Sequence, residues 1–268
     1  MDRGPIIVTG SSGTIGSSVI SRLRSDGWTC LGASRSIGLT TDLAWDACAP
    51  DSGRELAVAL DEQNVTTLHG LVWAAGTIGS VQPSREVPQD VMHRLYHEHV
   101  VGFLDAVAHL SPYLDRDSGP TVIAFSGGGA TAPFPRYMPY AAAKAAVVRV
   151  IETLAEEEPG WTVNAVAPGF VASKMHDVTL AAGAEGAGAY HGKTLEGLRT
   201  PTSPERAAAL VAFLVTEEAR NITGRLISAP WDPWEDPEWV SRLAKHPTLG
   251  KTRRVDDQWV VDRQHNPA

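Results

Sequence analysis

The stretch that most restricts the fold is the first one. A short β-branched run, Pro5-Ile6-Ile7-Val8-Thr9, ends in the small-residue turn Gly10-Ser11-Ser12-Gly13-Thr14-Ile15-Gly16. Residues 17–24 then place Val19, Ile20 and Leu23 on one side of a helix, and residues 28–33 read as a second strand. Strand, glycine turn, helix and strand within roughly 30 residues make a βαβ unit. At such a junction the free N–H groups of the helix N-terminus attract a pyrophosphate. Glycines at Gly10, Gly13 and Gly16 let the ligand come close and let the helix pack on the sheet.

The alternation continues along the chain. Residues 68–74, 121–126, 161–166 and 225–228 have the short apolar character of buried strands. Residues 90–114, 139–158 and 204–216 have helical patterns. The expected class is α/β, a doubly wound parallel sheet with helices on both faces, in one domain over residues 1–229. Two segments stand apart. Residues 181–200 carry Gly183, Gly186, Gly188, Gly192 and Gly197 with little periodicity, and read either as a surface loop or as a lid over a pocket. Residues 230–268 hold Trp231, Trp234, Trp239 and Trp259, an extension expected to pack on the domain, to meet a partner subunit or to close the substrate site.

Composition excludes several classes. A net charge of −8 argues against a nucleic-acid partner. Two cysteines in 268 residues make no disulfide framework. The first residues do not read as a secretory signal, and no apolar run approaches the ~18–20 residues needed to cross a bilayer. The expectation is a cytoplasmic protein with no membrane partner.

The second chemical signal is Tyr140-Ala141-Ala142-Ala143-Lys144. At i and i+4 on a helix, tyrosine and lysine share a face. A nearby ammonium is expected to lower the phenol's pKa, and a tyrosine so placed can exchange a proton with a carbonyl or alcohol oxygen. In order and separation, Thr9-Gly10 with Gly16, Asp42-Leu43, Ala75-Gly76, Tyr140 and Lys144, and Asn164-Ala165-Val166-Ala167-Pro168-Gly169 resemble the short-chain dehydrogenase/reductase family, in its branch of roughly 250 residues. The resemblance covers residues 5–228. It implies a Rossmann sheet, a nicotinamide cofactor and hydride transfer between a secondary alcohol and a ketone. It makes Tyr140 the general acid/base and Lys144 its assistant on the nicotinamide ribose. It puts Pro168, Gly169, Val171 and Ser173 beside the nicotinamide, and Gly10, Ser12, Gly13, Ile15, Gly16, Ala75 and Gly76 along the rest of the cofactor. Members are commonly homodimers or homotetramers that act on small molecules.

The chain departs from the family pattern at several places. The turn has Thr14 where the family usually has glycine. The family's Asn-Asn-Ala-Gly is Trp73-Ala74-Ala75-Gly76, so the central strand must be braced differently. The family's serine usually falls where Gly127 stands; Ser126, one residue away, is the candidate to hydrogen-bond the substrate oxygen. The relay asparagine falls at His99, which can move protons or simply pack. His93, His97 and His99 lack the carboxylate partners of a metal site, and no metal is expected. The second strand ends in Ala33-Ser34-Arg35-Ser36, with no acid for a ribose 2′-hydroxyl; Arg35 favours NADP(H), with NAD(H) possible. Asp42 and Leu43 are expected on the adenine side. Epimerisation or dehydration on the same scaffold, and a non-catalytic cofactor binder, are the alternatives.

Overall fold

A computed structural model describes residues 4–114 and 119–253. Among the described residues, seven parallel strands form one sheet in the order β3-β2-β1-β4-β5-β6-β7. They are β1 (Ile6–Thr9), β2 (Cys30–Ser34), β3 (Leu43–Ala44), β4 (Gly70–Trp73), β5 (Thr121–Phe125), β6 (Thr162–Ala167) and β7 (Arg225–Ser228). The order reverses between β1 and β4, where open α/β sheets take their ligands, at the carboxyl ends of the strands. Thr9, Ala33 and Trp73 lie in one register at that edge, with Trp73 opposite Ala124.

Two-residue alternation sorts the strands' side chains. Ile6, Val8, Ile123, Phe125 and Val166 face one layer, made by α1 (Thr14–Ser25) and α8 (Pro204–Leu214). Ile7, Leu71, Trp73, Val122 and Ala124 face the other, made by α2 (Ser52–Glu62), α4 (Gly102–Leu110) and α5 (Met138–Glu157). Each fully buried Ile, Leu or Val side chain contributes about 1.5–3 kcal/mol, so both layers are firmly held. α2 and α4 approach closely at Gly53, where a methyl group would lie 2.3 Å from the Asp105 carbonyl oxygen.

Two segments differ from the sequence expectations. The helix expected over residues 90–114 is α3 (Gln89–Tyr96), a π-helical turn at His97–Val101, then α4. Residues 181–200 are helical, not irregular: α6 (Met175–Ala187) and α7 (Ala189–Gly197) meet at Gly188. Alanines carry the helices through, while Gly183 (φ +61) and Gly188 (φ +57) take the positive-φ breaks. The extension after β7 folds onto the domain as far as it is described. Trp234 is buried and donates Nε1–H to the Ala229 carbonyl at 3.0 Å, with the Arg206 guanidinium 4.5 Å above its ring. A helix α9 (Pro237–Lys245) buries Leu243 in the layer of α1 and α8. Trp239 is partly buried, Trp231 is 76% exposed, and Trp259 lies outside the described residues. No helix among the described residues is long and apolar enough to cross a membrane.

Candidate active site

The glycine turn between β1 and α1 is a cradle with no room for side chains at two points. Gly10 has φ +64, and a methyl group there would lie 2.7 Å from the Ala74–Ala75 backbone. A methyl at Gly16 would lie 2.2 Å from the Gly10 carbonyl oxygen. Gly13 precedes the helix with an extended backbone and no capping side chain. The first-turn amides of α1, at Thr14, Ile15 and Gly16, therefore face outward for an anion. Gly10, Ser12 and Gly13 line a cleft that continues past Ala75 and Gly76. Ile15 packs its side chain against the core beneath the turn. A dinucleotide's pyrophosphate fits this cradle: amides to hold it, and bare glycine backbone where it must come close.

At the end of β2 the expected residues separate. Arg35 lines the cleft, with Ser34 and Ser36. Asp42 faces elsewhere: one carboxylate oxygen accepts from the Gly32 amide (2.7 Å) and from Arg24 (2.8 Å), pinning the end of β2. Leu43 is buried in the core. The residues on the cleft wall are Trp45, Asp46 and Ala47, an acid four positions further on. The turn bridged at Gly38 and Thr41 takes up the intervening residues, and β3 begins at Leu43.

The rim after β4 is braced by aromatic packing and a buried carboxylate. Trp73 is 2% exposed and meets Trp45 edge-on at 5.4 Å and Phe103 at 5.7 Å. Thr9 Oγ1 accepts from the Ala75 amide at 3.3 Å. Glu98, on the π-helical turn, accepts from the Thr77 amide (2.9 Å) and the Thr77 hydroxyl (2.7 Å) and also lines the cleft. Sequence reasoning missed Glu98, which in the sequence sits between two histidines and is distinguished only by its bonds to Thr77. His99 is 1% exposed, and its Nε2 is 2.7 Å from the Thr77 carbonyl. That carbonyl can only accept, so Nε2 carries the proton and Nδ1, which has no partner among the described residues, is left bare. Burial and the Lys144 charge hold His99 well below the ordinary histidine value, so its ring is neutral. The neighbouring histidines point apart: His93 toward Gln89, His97 toward the Ala49 carbonyl.

Tyr140 and Lys144 share one face of α5, near the ends of β4 and β5. The His99 ring meets Tyr140 edge-on at 5.7 Å. Lys144 is buried, donates to the Phe125 carbonyl at 2.8 Å, and lies 5.6 Å from the centre of the Tyr140 ring. Burial pushes Lys144 down to about 8, against the opposing pull of Glu98. Burial also pushes Tyr140 up to about 12, the reverse of the expected lowering. The reason is geometric: the ammonium is turned to a backbone carbonyl and gives the phenolate no direct bond. Ser126 is buried with its hydroxyl donating to the Lys144 carbonyl at 3.2 Å. The position next to the Tyr140 hydroxyl belongs to Gly127, where a methyl group would lie 3.9 Å from that oxygen.

Beyond β6 the Pro168-Gly169 turn is clamped. Gly169 has φ +81, and a methyl there would lie 2.7 Å from Thr202 Oγ1 and 2.8 Å from Pro230. Val171 is buried, and the Ser173 amide donates to His176 Nδ1 at 3.3 Å, leading into α6. Glycine cradle, Tyr140, Lys144 and this turn thus gather at the carboxyl edge of the sheet.

Comparison with known proteins gives this arrangement its family. Residues 29–229 match the model described as enoyl-(acyl carrier protein) reductase. The chain is 26% identical over 242 residues to dehydrogenase/reductase SDR family member 4 of Sus scrofa, covering 82% of this chain and 84% of that one. The fold matches actinorhodin polyketide ketoreductase, solved with NADPH, at a TM-score of 0.74, 21% identity, 85% of this chain and 95% of that one. It also matches the 3-alpha-hydroxysteroid dehydrogenase of Pseudomonas sp. B-0831, solved with NADH, at a TM-score of 0.66, 21% identity, 83% of this chain and 94% of that one. The chain belongs to the short-chain dehydrogenase/reductase family of oxidoreductases.

Proposed function

We propose that this enzyme reduces a ketone to a secondary alcohol, and reverses the step when product is in excess, with NADP(H) as the favoured cofactor and Tyr140 as the proton donor. The observation that carries the reading is the Tyr140 hydroxyl beside unfilled space at Gly127, on the helix face it shares with buried Lys144, at the edge of the sheet that also carries the glycine cradle. When bound, the nicotinamide supplies or removes hydride. The α1 amides and Gly10, Gly13 and Gly16 hold the pyrophosphate; Asp46 and Ala47 border the adenine, and Arg35 meets a 2′-phosphate. Tyr140, neutral at pH 7, donates its proton to the carbonyl oxygen as that oxygen gains charge. Lys144, whose ammonium donates to the Phe125 carbonyl, would hold the nicotinamide ribose, and its charge would stabilise the phenolate left on Tyr140. Ser126 fixes α5 against β5 through the Lys144 carbonyl and does not reach the substrate. α6 and α7 act as the substrate-side cover, hinged at Gly183 and Gly188.

The experiment is a ketone screen with the wild type and Tyr140→Phe, whose cofactor affinity is measured alongside. The expected result is turnover lost at least about 10²-fold with cofactor binding retained, the scale of a missing general acid. Retained turnover in Tyr140→Phe overturns the mechanism.

A further inference from the structure

Bare backbone lies beside the Tyr140 hydroxyl, and an aromatic cluster meets the Tyr140 ring. Gly127 has φ −174 and ψ −175, an extended conformation open to any residue. Among the described residues, a methyl group at Gly127 would meet only the Tyr140 hydroxyl within 4 Å beyond its chain neighbours, and one at Gly128 would meet nothing. Neither backbone nor packing requires glycine there. What Gly127 provides is unfilled space beside the Tyr140 hydroxyl. The Phe134 ring stands 6.2 Å from the Tyr140 ring, edge to face. Tyr137 stacks on Phe134 at 4.3 Å, and Tyr190, brought in by α7, meets it edge-on at 4.4 Å. Ile78, Val81 and Met175 complete an apolar cluster around these rings. Phe134 and Tyr190 are only partly buried, so ring surface remains for a ligand.

A flat slot walled by aromatic rings gains most from a flat apolar ligand, through offset or edge-on ring contacts. Resting on the ketone-reduction reading above, we propose that the slot selects a carbonyl borne on or next to a planar ring, an aryl or fused-ring ketone, over an open-chain one. Phe134 and Tyr190 form its wall and Gly127 keeps its floor open. A residue with a branched side chain at Gly127 fills the floor while the backbone stays as it is.

The test compares two ketones of equal carbon number, 1-tetralone and 2-decanone, in the wild type, Phe134→Ala and Gly127→Val. Each variant is first titrated with cofactor to show that it is folded. Two quantities are read: kcat/KM for each ketone, and 1-tetralone binding to the NADP+ complex by fluorescence quenching. The expected result is a wild-type preference for 1-tetralone of roughly tenfold or more, lowered roughly tenfold or more in both variants. Equal kcat/KM for the two ketones, or a preference unmoved by both substitutions, overturns the proposal while leaving ketone reduction intact. Binding of 1-tetralone that both substitutions weaken, without turnover of either ketone, supports the slot and refutes the reaction. Neither binding nor turnover refutes both.

Discussion

Lys144→Met makes the cost of the buried lysine measurable. Lys144 is 7% exposed, and its pKa falls from 10.5 to about 8. A lysine whose folded value lies below its unfolded one destabilises the fold wherever it is charged in both states. That penalty is fully present below pH 8, shrinks as pH rises, and is gone above pH 10.5. A shift of this size amounts to about 3 kcal/mol at pH 7. Integrated with the same two pKa values, the wild type gains about 2 kcal/mol on going from pH 7 to pH 9.5. The methionine variant carries no such titration. It does lose the bond to the Phe125 carbonyl, but that loss is independent of pH and cancels from the slope. Folded Tyr140 titrates above this window and His99 below it, and the remaining titrating groups are common to both proteins. The assay is urea unfolding of both proteins at the two pH values, read as the difference of differences. Stability curves that run parallel, or a wild type that loses ground as pH rises, would falsify the picture of Lys144 as a desolvated amine held ready for a ligand. The same variant should turn over no ketone, linking the strain at this position to its use.

Two other substitutions probe the cofactor side. Arg35→Ala should weaken NADPH binding by roughly tenfold or more, the worth of a charge-assisted bond, and leave NADH little changed; equal effects on both in a fluorescence titration would remove Arg35 from the 2′-phosphate. Gly16→Ala places a methyl 2.2 Å from the Gly10 carbonyl oxygen, so α1 must lift off the turn. The expectation is a stability loss of about 1–3 kcal/mol together with weaker binding of both cofactors, checked by thermal unfolding and titration; an unchanged Tm would refute the close packing.

The parts of the fold that depend on local signals were legible in the sequence. β1 is three buried apolar residues and a buried threonine against glycine, and the strand–turn–helix that follows has one physical solution. Tyr140 and Lys144 are readable because a four-residue spacing on a helix has one geometry. What was not legible depends on long-range register. Asp42 and Asp46 are equally plausible acids in one dimension. Only the turn bridged at Gly38 and Thr41, and the capture of Asp42 by Arg24 and Gly32, send the second of them to the cleft. Ser126 and Gly127 differ by one residue beyond the end of β5, and both face α5: the serine hydroxyl is taken by the Lys144 carbonyl, and the glycine stands beside the Tyr140 hydroxyl. Residues 181–200 looked irregular because five glycines each cost helix stability. Two of them fall at the breaks, and packing of Tyr190 and Ala187 against Phe134 and Tyr137 stabilises the rest. The helix α2 went unassigned because Gly53 and Asp51 obscure its start, yet its Leu56 and Leu60 are fully buried.

The most direct test of the account is a titration of the folded protein with NADPH and with NADH, following nicotinamide fluorescence enhancement and tryptophan quenching. The cradle at Gly10, Gly13 and Gly16 with Arg35 beside it predicts saturable binding of both, tighter for NADPH. No binding of either would contradict the assignment of the cleft to a nicotinamide dinucleotide, and the chemistry assigned to Tyr140 would fall with it.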